Sequence, residues 1–188
     1  LLAGVGAVLV STVVGVATGP VSIPLGQVVQ ELLDRLPLLE VDSSLSATDR
    51  AIVWDLRAPR VVLGLLVGAL LAGSGAAYQG VFRNPLADPY LLGIAAGAGL
   101  GATITIVAEL QDVLGVVDPV PLVAFAGALV AVTAAGTLSV RRGRVGSPTT
   151  LILAGVAVAN FFTAIQTFVQ QQNSETLQQV VAWILGRL

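Results

Sequence analysis

The stretch PRVVLGLLVGALLAGSGAAYQGVF, residues 59–82, carries only one charged side chain, Arg60, and that lies at its start. A helix needs roughly 20 mostly apolar residues to cross the hydrocarbon core of a bilayer, and this stretch is long enough. It does not alternate between polar and apolar residues, as a barrel strand of about 10 residues would. The stretch therefore predicts a transmembrane helix.

Similar apolar stretches recur along the whole chain of 188 residues, of which 55% are hydrophobic and only 11% are charged. A soluble domain has about 25% charged residues. Because only helices and closed barrels satisfy the backbone inside a bilayer, we predict an all-α fold, a polytopic transmembrane helical bundle. Since the chain opens inside an apolar run, we interpret it as one transmembrane domain that is a fragment of a longer protein. The predicted spans cover residues 1–18, 59–82, 90–108, 119–140 and 148–171, and residues 180–188 begin a next segment.

Several residue types that carry chemistry are missing from the sequence. Without Cys or His, the chain has no disulfide framework and no zinc or haem ligands of those types. Without Lys it has no Walker A loop, which needs that side chain on the phosphates of ATP. We therefore expect no enzymatic activity, no cofactor and no metal. The net charge of −2 argues against a nucleic-acid partner.

The orientation in the membrane is predicted from the short basic loop RRGRVGS, residues 141–147. Loops rich in arginine stay in the cytoplasm, and counting spans back places residues 83–89 there as well. The loop 109–118 and the polar linker 18–55 are then outside. Within that linker, residues 27–36 predict a short amphipathic helix at the interface. The expected location is a cell membrane, crossed several times and surrounded by lipid.

Two arginines, Arg57 and Arg60, flank the start of the second predicted span in the segment RAPR. Pro59 suits the first turn of a helix, where its missing N–H costs nothing. The arginines either anchor the helix in the headgroup layer or form a docking point for an acidic partner outside the membrane. Their position alone leaves both interpretations open.

The turn RNPLADP, residues 83–89, separates the second and third spans. Its two X-Pro pairs push Asn84 and Asp88 out of the helical region, so the chain must stop, turn and restart. The motif is either a simple connection or a gate, because broken backbone at membrane depth is tolerated where it lines a cavity.

A lane of uncharged polar side chains runs along the fifth predicted span. At 100° per residue its members cover an arc of about 140°, and the opposite face is apolar. Polar groups within a membrane face a partner helix or a water-filled path, so both roles are possible. The lane comprises Asn160, Thr163, Gln166, Thr167, Gln170, Gln171 and Ser174.

Small residues recur at intervals of four in the second and third spans. This spacing lets helix backbones approach closely and predicts a compact bundle rather than a chemistry. The residues are Gly64, Gly68, Ala72 and Ala76 in the second span, and Gly93, Gly97 and Gly101 in the third.

Together these motifs resemble the FecCD-type permeases of ABC importers, which take up iron–siderophores, haem and vitamin B12. The resemblance rests on RAPRVVLGLLVGALLAGSGAAYQGVFRNPLADPYLLGIAAGAGLGA at 57–102, LILAGVAVAN at 151–160 and WILGRL at 183–188. It implies a subunit of ten transmembrane helices that works as a homodimer with two ATPase subunits. It also implies an extracytoplasmic substrate-binding protein. This chain would supply the first five helices and the start of the sixth segment.

The resemblance also implies roles for individual residues. In such permeases an arginine pair before the second helix binds glutamates of the binding protein, which corresponds to Arg57 and Arg60. The cytoplasmic gate would comprise Asn84, Leu86, Pro148 and Thr149, and Pro148 departs from the polar residue of the vitamin B12 permeases. The translocation path would be lined by Asn160, Thr163, Gln166, Thr167 and Gln170.

Two other functions are weighed against this one. Half of an ion-coupled secondary transporter would need a buried carboxylate or histidine in the middle of a span, and no predicted span has one there. An intramembrane enzyme would need a nucleophile with a base, or paired aspartates. Which ligand is transported, iron–siderophore, haem or cobalamin, is not encoded in these motifs.

Overall fold

The computed structural model describes residues 1–35, 44–110, 118–140 and 147–186, and within these ranges every regular element is helical. The all-α prediction is confirmed. A π-helical turn, Ile52–Arg57, joins α3 to α4, and 3₁₀ turns at Pro89–Leu92 and Ser174–Thr176 precede α5 and α8. The α-helices are α1 Leu2–Ala17, α2 Leu25–Asp34, α3 Ala47–Ala51, α4 Ala58–Phe82, α5 Ile94–Val107, α6 Val120–Ser139, α7 Pro148–Gln172 and α8 Leu177–Ile184.

Among the residues that the structure describes, three helical stretches are long and apolar enough to cross a membrane: Ala47–Phe82, Val120–Ser139 and Pro148–Gln172. The apolar helices α1 and α5 are shorter, with 16 and 14 residues. At 1.5 Å per residue, α5 rises about 21 Å. The predicted third span also took in the 3₁₀ turn before α5, which Gly93 separates from the helix with a left-handed φ of 75°.

The chain has two compact units, Leu1–Ala72 and Gly73–Leu188. In the first unit, α2 packs against the end of α1 and against the π-helical turn. The amphipathic helix predicted over 27–36 is observed at Leu25–Asp34. The buried apolar core of this unit comprises Val16, Ala17, Ile23, Val28, Leu45 and Val53.

The helix that contains the second span begins earlier than its hydropathy indicates. The predicted linker reached Asp55, whereas Ser46 caps a helix that starts at Ala47. The Ser46 hydroxyl accepts from the Asp49 N–H at 3.1 Å and donates to the Asp49 carboxylate at 2.7 Å, so Ser46 serves as the N-cap. Pro59 lies inside the continuous helix. The π-helical turn just before it has wider i→i+5 bonding, which accommodates a residue that cannot donate.

The second unit is built around α5, which packs against α6 and α7. A Cβ on Gly97 would overlap the carbonyl oxygen of Gly127, and one on Gly101 would overlap that of Val123. Residues further along α5 thus meet residues earlier in α6, so the two helices are antiparallel, and their backbones are in direct contact. The small-residue spacing thus does bring helices together at α5. A Cβ on Gly64 or on Gly68 of α4 meets no atom of the described chain within 4 Å.

Helix α8 returns to the C-terminal half of α5. Its Val180 is fully buried against Ile106 of α5 and Val120 of α6. The sequence suggested the start of a further segment at 180–188. The structure has the end of α8 there, with Gly186 at a left-handed φ of 75°. Residues 187–188 lie outside the described residues, as do most of the loops 109–118 (111–117) and 141–147 (141–146) used for orientation.

Candidate functional site

Arg57, a predicted docking residue, is buried at the end of α1, with only 8% of its surface exposed. Its Nη1 donates to the carbonyl oxygens of Val16 at 3.0 Å and Ala17 at 2.8 Å. Its Nη2 donates to the carbonyl oxygen of Val21. The last carbonyls of a helix have no partner within it, so Arg57 caps α1 from a position about 40 residues further along the chain.

Arg60, the second predicted docking residue, lies in the first turn of α4 and is exposed. No ion pair or hydrogen bond joins it to another residue in the described ranges. The two arginines therefore differ, although they are only three residues apart. Arg57 ends the π-helical turn and points at α1, whereas Arg60 offers its charge to the surroundings.

A buried carboxylate lies beside this segment and was not singled out from the sequence. Glu31 of α2 is 1% exposed and accepts from Arg50 Nε at 3.1 Å and from Trp54 Nε1 at 2.8 Å. The Arg35 guanidinium stands 4.7 Å from the centre of the Trp54 ring. These contacts fix α2 against the helix that leads into α4. The sequence does contain a signal for this site: Glu31 is a charged residue on the apolar side of an amphipathic helix. Such a residue is seldom buried without a partner.

The gate turn consists of two consecutive Asx turns. The Asn84 Oδ1 accepts from the Leu86 N–H at 2.9 Å, and the Asp88 Oδ1 accepts from the Tyr90 N–H at 2.8 Å. These bonds explain why each proline follows a residue with a short side-chain oxygen acceptor. Leu86 at the tip is 84% exposed. Arg83, which ends α4, has a positive φ of 48°, a conformation uncommon outside glycine.

The other predicted gate residues, Pro148 and Thr149, are exposed at the start of α7. Ser147 caps this helix, with its hydroxyl accepting from the Thr150 N–H at 3.3 Å. A Cβ on Gly93, at the exit of the gate turn, would lie 3.2 Å from the carbonyl oxygen of Gly155. Helices α5 and α7 run parallel from this contact between Gly93 and Gly155. The gate turn and the start of α7 therefore lie at the same end of the second unit.

An open apolar groove of about 260 Å³ lies between the end of α4 and the first turns of α7. Its walls include Tyr78 and Phe82 of α4, Leu92 of the 3₁₀ turn and Leu151 of α7. The rings of Tyr78 and Phe82 are 5.7 Å apart.

The polar lane lies along one edge of the exposed face of α7. Asn160, Thr163 and Thr167 are exposed, and Gln170 is half-buried. The Asn160 Nδ2 donates to the Val156 carbonyl oxygen of its own helix at 2.8 Å, so its amide is not committed to a neighbouring helix. The helix ends at Gln172. Ser174, counted in the lane from the helical spacing, therefore lies in the 3₁₀ turn beyond it.

Gln166 differs from the rest of the lane, because it faces α5. A Cβ on Gly99 would come within 2.9 Å of its Oε1, so the amide occupies the space that the glycine leaves free. One turn further along α5, the Thr103 hydroxyl is fully buried and has no hydrogen-bond partner within the described residues. The seam between α5 and α7 is therefore polar on both sides.

An apolar stripe adjoins the lane on the same helix. Phe161 and Phe168 of α7 are 63% and 61% exposed. Helix α7 thus presents two different exposed surfaces side by side, one polar and one aromatic. The described parts of α5, α6 and α7 contain no charged residue.

Comparison with known families matches residues 7–188 to the FecCD transport family. A cobalamin import system permease protein, BtuC, of Halobacterium salinarum is 41% identical over 142 residues, covering 75% of this chain and 37% of that protein. A probable iron chelatin transport system permease protein of Helicobacter pylori is 41% identical over 141 residues, covering 73% of this chain and 40% of that protein.

An uncharacterized ABC transporter permease protein, YvrB, of Bacillus subtilis is 35% identical over 181 residues, covering 94% of this chain and half of that protein. The chain thus spans half the length or less of these curated relatives. The similarity, together with three helical stretches that are long and apolar enough to span, makes the chain part of a multi-pass cell-membrane protein.

Proposed function

Because the chain belongs to the FecCD transport family, we propose that it is the N-terminal part of a single permease domain in an ATP-driven importer. The observation that carries the proposal is the family match over residues 7–188, combined with an uncharged polar lane on α7. The chain is a transport subunit and not an enzyme. We place ATP hydrolysis on a separate subunit; this part of the permease has no lysine for a Walker A loop, which agrees with that division.

The translocation path follows the lane on α7. Asn160, Thr163 and Thr167 are exposed toward it, with Gln170 at its far end, and the neighbouring phenylalanines face lipid or a partner helix. Gln166 borders the path from the seam with α5. A path of amides and hydroxyls without charge suits large ligands that must pass without being held tightly.

The cytoplasmic gate comprises the tip of the Asx turns, Asn84 and Leu86, and the start of α7, Pro148 and Thr149. Their position at one end of the second unit, all exposed, supports this assignment. Leu86 suits a gate because it projects an apolar side chain from a backbone held by two side-chain caps.

Docking of the extracytoplasmic binding protein involves the RAPR segment, where the exposed Arg60 meets an acidic side chain. The full assembly is a homodimer of permease subunits with two ATPase subunits. The ligand is an iron–siderophore, haem or cobalamin, and two of the relatives above are named as permeases for cobalamin and for iron chelatin. The binding protein supplies most of the selectivity.

The test is to express the full-length permease with candidate ATPase and binding-protein subunits from the same organism. We expect a stable complex whose ATP hydrolysis rises on adding the binding protein. Arg60→Glu should abolish this stimulation, and Arg60→Lys should keep most of it, because the lysine retains the charge. A permease that binds no ATPase would contradict the proposal. An ion-coupled transporter is the second candidate, but no charged residue in α5, α6 or α7 supports it.

A further inference from the structure

The amide of Gln166 lies in a notch that Gly99 leaves on the surface of α5. A Cβ on Gly99 would be 2.9 Å from Gln166 Oε1, 3.3 Å from its Nε2 and 3.4 Å from its Cδ. The amide group therefore occupies the volume that a larger residue at this position would need. Gly99 is buried within a helix, and its φ is not in the left-handed region. Room for the amide, rather than backbone conformation, thus accounts for a residue that is a poor helix former.

The fit to this notch is what holds the amide in place. Within the part of the chain that the structure describes, no hydrogen bond joins the Gln166 side chain to a partner. Gln166 is only half-buried, so its side chain keeps contact with its surroundings on the side of the lane. One turn further along α5, Thr103 is fully buried, so the space in that direction is already filled. The position of the amide therefore depends on the shape of α5 at Gly99.

An alanine in place of Gly99 would leave the amide one open direction, which is the exposed lane. Side chains on a helix lean toward its N-terminus, so a side chain at position 166 reaches over the residue three positions earlier. That residue is Thr163, which is exposed and belongs to the lane. A displaced amide would cover Thr163 and narrow the surface that the path follows.

We propose that Gly99 is a positioning residue for transport, which seats the Gln166 amide in the seam between α5 and α7 and so keeps the path wide enough for a bulky ligand. This inference rests on the proposed function, because it takes the lane on α7 as a wall of the path. Gly99 itself touches no ligand and acts only through Gln166. The size of ligand that passes therefore depends on a missing side chain on α5 as well as on the groups in the lane.

Labelling of a cysteine at position 163 reports where the amide lies. The full-length permease, assembled with its ATPase and lacking other cysteines, would carry Thr163→Cys and be labelled in membranes with a small and with a bulky charged thiol reagent. Adding Gly99→Ala should slow labelling about tenfold, because a thiolate reacts only where water and the reagent reach it. The bulky reagent should be slowed more than the small one. Adding Gln166→Ala to the same protein removes the amide and should restore the original rate.

The direction of the change distinguishes positioning from damage to the packing. If Gly99→Ala merely forced α5 and α7 apart, the thiol would become more accessible and both reagents would react faster. Gly136→Ala is the matched control and should not change the rate, because a Cβ there meets nothing within 4 Å of the described chain. A rate that Gly99→Ala leaves unchanged or raises, or a loss that Gln166→Ala does not restore, would overturn the role of Gly99.

A second variant decides the case in which Gly99→Ala does not assemble. Gln166→Ala alone should leave the labelling of Thr163→Cys unchanged, because a seated amide does not cover the thiol. Faster labelling would mean that the amide already lies in the lane, and the proposal would be overturned. A Thr163→Cys permease that reacts with neither reagent would remove the path and the role of Gly99 with it. The proposed function fails separately, if the wild-type complex supplied with ATP takes up neither a ferric siderophore nor haem nor cobalamin.

Discussion

The side-chain oxygen of Gln166 on α7 lies close to Gly99 of α5, so that a Cβ added to Gly99 would be only 2.9 Å from it. The amide of Gln166 is therefore held in the seam between two parallel helices. Its neighbours in the lane, Thr163 and Thr167, remain exposed. Gln166, one residue of the predicted path, is thus part of the packing between α5 and α7.

Water should reach the exposed polar residues of α7 but not the aromatic stripe beside them. We expect Thr163→Cys and Thr167→Cys to react with a charged thiol reagent at least about tenfold faster than Phe161→Cys and Phe168→Cys, because thiolates form only where water enters. The measurement is the labelling rate in membranes, on a full-length background without other cysteines. This chain contains none. Equal rates at all four positions would exclude a water-filled lane.

The packing of α5 against α6 should make Gly97 sensitive to the smallest enlargement. A Cβ there overlaps the Gly127 carbonyl, so Gly97→Ala should lower the free energy of unfolding by about 1–3 kcal/mol. Gly136→Ala in α6 is the control, since its Cβ meets nothing within 4 Å of the described chain. Thermal unfolding in detergent measures both. An equally stable Gly97→Ala variant would show that the helices can separate at no cost.

The buried carboxylate of Glu31 should stabilise the first unit through its charge. Glu31→Gln keeps the shape but weakens the bonds from Arg50 and Trp54, and we expect a loss of about 1.5–3 kcal/mol. Glu175→Gln, at an exposed position, is the matched control and should have no effect. The midpoint of thermal unfolding, followed by tryptophan fluorescence in a Trp183→Phe background, reports on Trp54. If Glu31→Gln and Glu175→Gln unfold at the same midpoint, the charge of Glu31 does not stabilise the first unit.

The caps of the gate turn should matter for sealing the path. Asn84→Ala removes the acceptor for the Leu86 N–H, whereas Asn84→Asp retains an acceptor at the same place. We expect the alanine variant to raise the leak of ligand through the transporter in the absence of ATP, and the aspartate variant to leave it low. The measurement is ligand efflux from loaded proteoliposomes. A tight Asn84→Ala variant would argue against a gate at this turn.

The helical class was readable from the sequence because long apolar stretches admit few other folds in a membrane. The RNPLADP turn was readable as well, because each proline follows an Asx residue whose side chain caps the turn. These features are local, and local patterns are what a sequence shows directly.

The first unit was harder to predict, because its decisive contacts join distant parts of the chain. Arg57 reaches carbonyls about 40 residues earlier, and backbone carbonyls carry no sequence signal. The π-helical turn has none either, so the two arginines of RAPR were interpreted as an equivalent pair. In the lane, helical spacing grouped Gln166 with the exposed residues, since spacing alone does not reveal that Gly99 leaves room for its amide.

The most direct test of the central claim is ATP-dependent uptake by the reconstituted complex. The full-length permease, its ATPase and its binding protein would be placed in proteoliposomes, with ligand supplied outside on the binding protein. We predict uptake when ATP is enclosed on the ATPase side, and no uptake from a proton or sodium gradient alone. Uptake that follows the ion gradient and ignores ATP would contradict the account.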